Sequence, residues 1–347
     1  MSQRQVIRYR TTTDGVRIAW AEAGGGPPLV KSSNWLSHLE FDWESPVFRH
    51  WVHFFADHFR FIRYDERGCG LTDWDASNLS LERWTDDLEE VINAARIDEP
   101  FTLLGISQGG STCIQYAVRH PKRVARLILY GAYARGAYHR EDAAEYKAVV
   151  DLVRVGWGKD NPAFRQVFTS RFVPQGTAEQ IEWFNDLAKK TTSPNIAAPI
   201  LEARAHIDVV DLLEQIRVPT LVLHARNDNA VPLAEGKLIA AKIPNAEFVE
   251  IDSRNHVLLE HEPAWKRFCN AVLEFTGSPG EQAFASLSQR ERQILSLLSE
   301  GLSNAAIAAQ LLISEKTVRN QLSKIFDKLG VWSRAQAIVF AREHGFK

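Results

Sequence analysis

The chain has 347 residues, of which 45% are hydrophobic and 24% are charged, and its net charge is −2. This length suffices for two domains with a substantial core, and the composition is ordinary for a soluble globular protein. No apolar run is long enough to cross a membrane, and the first residues do not lead into a signal-peptide core, so we expect no membrane partner. Three scattered cysteines without metal-ligand spacing favour reduced thiols and a cytoplasmic location.

The charge is unevenly distributed along the chain. Residues 286–347 carry nine Lys or Arg and five Asp or Glu, a net charge of +4, which leaves −6 for the rest. An acidic body with a basic terminal domain is the asymmetry expected of a protein that binds nucleic acid.

Residues 1–275 alternate between short apolar runs and helical periodicity, which predicts an α/β domain with a mainly parallel sheet. A hairpin opens the domain, with its turn at Asp14-Gly15. The predicted elements then follow as strand 29–31, helix 48–55, strand 59–64, helix 81–95, strand 101–105, helix 111–120, strands 126–130, 220–223 and 247–251, and helix 263–275. Residues 132–217 show helical periodicity without a clear strand. Gly, Ser and Pro crowd residues 276–285, which predicts a linker.

A Gly-x-Ser-x-Gly pattern, Gly105 to Gly109, directly follows the apolar run of strand 101–105. At a sharp turn from strand to helix, such glycines allow close backbone packing and raise the serine hydroxyl above the sheet edge. The amide of the next residue, Gln108, then points at a developing oxyanion. The pattern predicts that Ser107 is a nucleophile.

A nucleophilic serine needs a base, and the base needs an orienting acid. Asp228 follows strand 220–223, and His256 follows strand 247–251. Like Ser107, both residues lie at the carboxyl ends of strands, where open α/β sheets bind ligands. The chain order Ser, Asp, His is that of the α/β-hydrolase fold.

Together with the Tyr64–Thr72 loop, these residues make residues 1–275 resemble an α/β-hydrolase domain. The loop is similar to the Asp-x-Arg-Gly-x-Gly-x-Ser loop of that family, and residues 132–217 stand where the family carries a cap over its pocket. The resemblance implies a catalytic triad of Ser107, Asp228 and His256, with no metal and no cofactor. Ser107 could alternatively be a vestigial residue that only hydrogen-bonds a ligand.

The chain departs from the family at the second oxyanion donor. The family's His-Gly after the third strand is replaced by Ser32-Ser33-Asn34-Trp35. Trp35, or failing that Asn34, would therefore have to donate that amide. Trp35 and the cap residues Trp157 and Trp183 are also candidates to line an apolar ligand site.

Three histidines, His50, His53 and His58, could suggest a metal site. They lie in a Trp- and Phe-rich amphipathic helix without a matching set of carboxylates. We therefore expect them to pack or to lie at the surface.

Residues 286–347 predict a small all-α domain. Ser288 and Glu291 form a capping box ahead of a first helix, and Gly301 ends that helix. Ser303 caps a second helix at 304–311, and a short turn leads to a third helix at 315–329. That third helix carries an apolar stripe and an opposite polar stripe, which is what a recognition helix offers to a major groove. The alternative is a solvated face on an ordinary helical bundle.

The whole segment closely resembles the LuxR-type helix-turn-helix. The similarity rests on Leu287-Ser288-x-Arg290-Glu291, Gly301-Leu302-Ser303-Asn304, Ile313-Ser314-x-x-Thr317-Val318-Arg319 and Lys328-Leu329-Gly330-Val331. The resemblance implies that bases are contacted by Arg319, Asn320 and Ser323, and phosphates by Lys316, Thr317 and Lys324. Helix 334–344 corresponds to the dimerisation helix of that family, which implies a homodimer on a double-stranded DNA operator.

Three functions follow from these patterns. The first is a DNA-binding transcriptional regulator whose α/β-hydrolase-like domain binds a small, partly apolar molecule and so controls DNA binding. The second is a catalytically active serine esterase or lactonase coupled to DNA binding. The third, and the least economical, is a metabolic hydrolase with an incidental tail. The sequence favours the first.

Overall fold

The computed structural model describes residues 4–75, 77–161, 163–277, 287–329, 331 and 333–343. The chain divides into two units, Met1–Val272 and Leu273–Lys347. Most of the predicted linker 276–285 lies outside the described residues, as do Gly330 and His344.

The first unit is built on an eight-stranded sheet in the order β1-β2-β4-β3-β5-β6-β7-β8. The predicted hairpin forms, and β2 also pairs antiparallel with β4, whereas all later neighbours are parallel. The strands are β1 (Val6–Thr11), β2 (Arg17–Ala23), β3 (Pro28–Lys31), β4 (Arg60–Tyr64), β5 (Phe101–Ile106), β6 (Val124–Tyr130), β7 (Thr220–Ala225) and β8 (Glu247–Ile251). Strands β5 and β7 read as nearly continuous apolar runs because helices cover both faces of a parallel sheet.

Helices flank this sheet. They are α1 (Leu39–Trp43), α2 (Arg49–His58), α3 (Leu81–Ala94), α4 (Gly109–Arg119), α5 (Ala143–Gly156), α6 (Ala163–Phe172), α7 (Ala178–Thr191), α8 (Pro194–Ala205), α9 (Val210–Leu213), α10 (Leu233–Lys242) and α11 (Pro263–Thr276). Helices α5 to α8 lie in the segment predicted as a cap. Across the parts of the chain that the structure describes, no helix has the length and apolar character needed to cross a membrane.

Helix α10 was not predicted from the sequence. Gly236 lies inside this short helix, and glycine weakens a helical pattern. The structure shows why a glycine stands there, because a Cβ atom at position 236 would lie 2.5 Å from Nδ1 of His224. A contact between α10 and β7 therefore outweighs the local preference.

Helix α3 illustrates how the core of the first unit forms. The Ser80 hydroxyl caps it by accepting a hydrogen bond from the Arg83 amide at 3.3 Å. Trp84, Leu88 and Val91 then fall on one buried face, at the spacing of an amphipathic helix. This face joins a core cluster with residues from β3, β5 and β6.

The second unit contains four described helices, α12 (Gln289–Ser299), α13 (Asn304–Leu311), α14 (Glu315–Leu329) and α15 (Arg334–Glu343). The predicted capping box is present, since the Ser288 hydroxyl accepts from the Glu291 amide at 3.3 Å and the Glu291 carboxylate accepts from the Ser288 amide at 2.7 Å. Gly301 follows α12 with a φ of 85°, as a glycine after a helix end commonly does. One apolar core holds the helices together.

Candidate functional site

Ser107 lies at a sharp turn between β5 and α4. Its φ of 51° is left-handed, which is uncommon for a residue other than glycine. The Ser107 amide donates to the Tyr130 carbonyl at 2.9 Å, and the Gly110 amide donates to the Ser107 carbonyl at 3.0 Å. A Cβ atom at Gly105 would lie 2.8 Å from the Gly110 Cα atom, so the turn requires its glycines. The geometry is that of a nucleophile elbow.

Asp228 and His256 are brought together by the loops after β7 and β8. Nδ1 of His256 lies 2.6 Å from Oδ2 of Asp228. The other carboxylate oxygen, Oδ1, accepts from the amides of Ala230 and Val231 at 2.8 and 2.9 Å. The Asp228 carboxylate is therefore held on both oxygens and faces the imidazole.

The ionisation of Asp228 follows from its surroundings. Burial raises the pKa of Asp228, but the charge and the hydrogen bond of His256 outweigh burial, and the net pKa is lowered. An ionised Asp228 keeps the proton of a neutral imidazole on Nδ1 and leaves Nε2 as the basic nitrogen. Nε2 of His256 is buried and has no hydrogen-bond partner among the described residues.

The three predicted triad residues converge on one region. Ser107 and His256 line the same cavity of about 70 Å³, and Asp228 lies behind His256. Gly131 makes room for the imidazole, because a Cβ atom at that position would lie 2.9 Å from Cε1 of His256. Since Nε2 has no partner, Ser107 Oγ and His256 do not form a hydrogen bond in this state.

Side chains of the chain itself occupy hydrogen-bonding groups in the region predicted for the oxyanion. The Trp35 amide donates to the side-chain oxygen of Gln108 at 3.2 Å. The Asn34 side chain accepts from Lys31 at 2.5 Å and donates to the Trp35 carbonyl at 3.2 Å. A substrate carbonyl must therefore displace the Gln108 carboxamide before the Trp35 amide can bind it.

The wall of the cavity is mostly aromatic and aliphatic. Trp157 and Trp183, which were candidates for an apolar ligand site, are not among the residues that line this cavity. Trp157 stacks on Trp35 at 4.9 Å between ring centroids, and Trp183 stacks on Phe41 at 4.6 Å. The apolar lining comes instead from Trp35, Leu36, Phe48, Trp51, Val52, Phe55, Phe61, Ile106, Tyr130, Phe172, Phe184 and Val257.

Several charged residues at the site were missed by the sequence reasoning. Lys31, Asp42 and Arg63 also line the cavity. They were missed because they belong to a strand, a short helix and another strand that meet only in the folded chain. The sole sequence signal is that Lys31 ends an otherwise apolar strand.

Arg204 of α8 ties the cap segment to the nucleophile turn. Its guanidinium lies 2.7 Å from the Glu66 carboxylate, and both side chains are about 1% exposed. The same guanidinium donates to the Gln108 carbonyl and the Thr112 hydroxyl, each at 3.2 Å. Glu66 belongs to the Tyr64–Thr72 loop that the sequence analysis singled out, whereas no pattern marked Arg204.

The predicted packing role holds for His50. Its Nε2 atom hydrogen-bonds the Leu258 carbonyl at 2.9 Å, and its ring meets Trp265 edge to face. Burial lowers the pKa of His50 to about 4, so the ring is neutral.

The six residues predicted to contact DNA all lie on helix α14 and are exposed. They are exposed because the apolar side chains on the opposite face of the helix, Val318, Leu322 and Ile325, are buried in the core of the second unit. The Ser314 hydroxyl caps the helix by accepting from the Thr317 amide at 3.0 Å. The exposed residues are Lys316, Thr317, Arg319, Asn320, Ser323 and Lys324.

Comparisons with known proteins agree with the fold of the first unit. A family model described as alpha/beta hydrolase fold matches residues 42–263. The AB hydrolase superfamily protein YisY of Bacillus subtilis is 26% identical over 277 residues, which are 78% of this chain and 99% of that protein. The structure of the esterase RhEst1 from Rhodococcus sp. ECU1013 is similar with a TM-score of 0.66 and 25% identity, over 78% of this chain and 98% of that one.

The second unit matches a different family. A model described as bacterial regulatory proteins, luxR family, matches residues 285–341. The DNA-binding transcriptional activator DevR/DosR of Mycobacterium tuberculosis is 46% identical over 63 residues, which are 18% of this chain and 29% of that activator. The chain therefore belongs to the α/β hydrolase fold family and carries, fused to that domain, a helix-turn-helix domain of the luxR family.

Proposed function

We propose that this chain is a ligand-responsive transcriptional regulator. Its luxR-type domain binds a double-stranded DNA operator as a homodimer in the cytoplasm, and its hydrolase-fold domain binds a small, partly apolar molecule that controls operator binding. One observation carries the proposal. A single chain joins an apolar cavity at an elbow serine to a helix whose six candidate DNA contacts are all exposed.

The character of the cavity supports ligand binding. Small-molecule sites are mostly apolar, with a few placed polar groups that orient the ligand. Here the polar groups include Ser107, Gln108 and His256, and the walls are aromatic and aliphatic. The hydrogen bond between the Trp35 amide and Gln108 favours binding over turnover, because it occupies a donor that catalysis would need.

The exposed stripe of α14 supports DNA binding. Arg319, Asn320 and Ser323 have side chains that hydrogen-bond base edges, whereas Lys316 and Lys324 offer charge to phosphates. The homodimer is proposed from the correspondence of α15 to the dimerisation helix of the family, on which Val339 is 56% exposed.

The test begins with selection of an operator from random DNA by the full-length protein. Operator affinity is then measured by fluorescence anisotropy with and without candidate esters, lactones and carboxylic acids. We expect a ligand to change the affinity by roughly 5- to 150-fold, the usual range of coupling between two sites. Val52→Trp, which fills the cavity, is expected to abolish the ligand effect, and Arg319→Ala to weaken operator binding itself. Failure to select any specific DNA would refute the proposal.

Hydrolytic turnover is a second candidate, supported by the 2.6 Å contact between Asp228 and His256. In this mechanism Ser107 Oγ attacks a substrate carbonyl, and His256 Nε2 takes the hydroxyl proton and later gives it to the leaving group. Asp228 orients the imidazole. The amides of Gln108 and Trp35 hold the oxyanion once the Gln108 side chain has moved.

Labelling with a fluorophosphonate tests this second candidate. We expect the native protein to be labelled and the variant Ser107→Ala to remain unlabelled, with an acylation burst from an activated ester in the native protein only. Equal labelling of both proteins would show that Ser107 is not the nucleophile.

A further inference from the structure

The last residue of β3, Lys31, presents its ammonium group to the cavity. Its Nζ atom donates to the side-chain oxygen of Asn34 at 2.5 Å and to the Ser32 carbonyl at 3.3 Å. An ammonium has three N–H donors, so one donor is left without a partner in the described part of the chain. No described carboxylate lies within 4.0 Å of this nitrogen to form an ion pair.

Arg63, the other cation that lines the cavity, has a carboxylate partner. It pairs with the Asp42 carboxylate at 3.3 Å, donates to the Leu39 carbonyl at 2.6 Å and donates to the Gln5 side chain at 2.8 Å. Asp65 in turn accepts from the backbone amide of Leu39 at 3.1 Å. Asp42 and Asp65 favour the charged form of Lys31 through space without an ion pair to it, so Lys31 is the cation of this wall that has no ion pair among the described residues.

A buried ammonium that has no ion pair is stabilised when a carboxylate joins it. Burial is the main cause that lowers the pKa of Lys31 to about 8, which agrees with the missing ion pair. Asp42 opposes an incoming anion only weakly, because Arg63 pairs with it and burial raises the pKa of Asp42 to about 7. Burial raises the pKa of Asp65 as well, so neither acid fully cancels the Lys31 charge, and the wall accepts one additional negative charge.

The size of the cavity limits the ligand. Its volume of about 70 Å³ is near half that of the roughly 150 Å³ apolar cavity that accepts benzene. Trp51, Phe55 and Phe61 line it and offer surface for a hydrocarbon body but no free donor for a second carboxylate, because the Trp51 indole N–H already donates to the Leu258 carbonyl.

We propose that the cavity binds a short-chain monocarboxylic acid, with the carboxylate on Nζ of Lys31 and the hydrocarbon chain against the aromatic wall. Short-chain monocarboxylic acids would then be the ligand class of the regulator proposed above, and the inference rests on that proposed function. The carboxylate accepts a charge-assisted hydrogen bond from the unused N–H of Lys31.

Fluorine NMR of the full-length protein tests the site with 4,4,4-trifluorobutyrate and its neutral analogue 4,4,4-trifluorobutyramide. We expect the native protein to bind the carboxylate about tenfold more tightly than the amide, as a charged hydrogen bond predicts. Lys31→Met should abolish that preference, and Lys31→Arg should retain part of it. The matched control Lys147→Met, an exposed lysine on α5, should leave it unchanged. Equal affinities for the two probes in the native protein would overturn the proposal.

A second measurement avoids any folding defect of the variants. In the native protein, butyrate should slow reductive methylation of Lys31 by formaldehyde and cyanoborohydride, whereas butyramide should not. Equal protection by both would also overturn the proposal. Carboxylate binding without any effect on the operator would support the site but contradict the regulator. An operator response to a neutral ligand alone, with no carboxylate binding, would contradict only the site.

Discussion

The buried pair of Arg204 and Glu66 allows a quantitative test of how the cap segment is held on the first unit. Arg204 pairs with Glu66 at 2.7 Å, and its guanidinium carbon lies 3.5 Å from the centroid of the Trp84 ring. The substitution Arg204→Met keeps most of the side-chain length but removes the charge. Glu66 is then buried without its counter-charge. Burial raises the pKa of Glu66 and Arg204 counteracts that rise, so the variant also favours the protonated form of Glu66.

The expected magnitude follows from these contacts. Removing one partner of a buried pair costs about 3–5 kcal/mol, since the remaining charge is left uncompensated. Protonation of Glu66 limits the loss, so we expect Arg204→Met to lower the free energy of unfolding by about 4 kcal/mol. The double variant Arg204→Met with Glu66→Gln removes both charges. It should recover about 2 kcal/mol of that loss, because the hydrogen bonds to Gln108 and Thr112 stay missing.

The assay is urea unfolding followed by tryptophan fluorescence. Nine of the ten tryptophans precede residue 280, so the signal reports mainly on the first unit. The matched control is Arg154→Met, which breaks an exposed pair with Glu202 at 2.5 Å within the same segment and should have little effect. The reasoning is refuted if Arg204→Met is no more destabilising than Arg154→Met, or if Glu66→Gln makes the loss larger.

Three further predictions concern the cavity charge, the imidazole and the DNA contacts. Burial raises the pKa of Asp42 from 3.8 to about 7. Protonation of Asp42 therefore favours the folded state, and this contribution to the free energy of unfolding is lost as the pH rises from about 4 to 7. Asp42→Asn lacks this loss, and urea titrations should show the native protein weakening relative to the variant across that window; parallel profiles would contradict the burial effect. Gly131→Ala should cost about 1–3 kcal/mol more than Gly15→Ala, because both have a positive φ but only position 131 meets the imidazole; equal losses would mean that the ring has room. Arg319→Ala should weaken operator binding about tenfold and relax the sequence preference, whereas Lys324→Ala should lower the number of ions released on binding by about one without changing the preference. Fluorescence anisotropy at several salt concentrations measures both effects. Identical behaviour of the two variants would argue against their assigned roles.

The residues that could be anticipated are those marked by local chemistry. The elbow at Ser107 is anticipated because glycines and a preceding apolar strand dictate the turn, and the structure has that turn. Asp228 and His256 each follow a strand of a parallel sheet, and the carboxyl ends of such strands lie at one edge. The capping box of Ser288 and Glu291 is likewise a matter of four consecutive residues.

The residues that could not be anticipated depend on distant contacts. The Gln108 side chain reaches the Trp35 amide across 73 positions of sequence, and Arg204 reaches Glu66 across 138. Trp157 and Trp183 were expected at the cavity from their type, but the packing of the cap helices directs their rings onto Trp35 and Phe41. Residue type sets what a side chain can contact, and only packing selects the contact.

The sequence by itself therefore determined the α/β class of the first unit, the helices of the second, the nature of the elbow and the polar stripe of the third helix of the second unit. Each of these depends on periodicity or turn chemistry within a few residues. Only the tertiary structure decided that the Trp35 amide is already bonded and that Arg63 has an ion pair while Lys31 has none among the described residues. Hydrogen-bond satisfaction and charge compensation are properties of neighbours in space, and strands and helices far apart in the chain supply those neighbours.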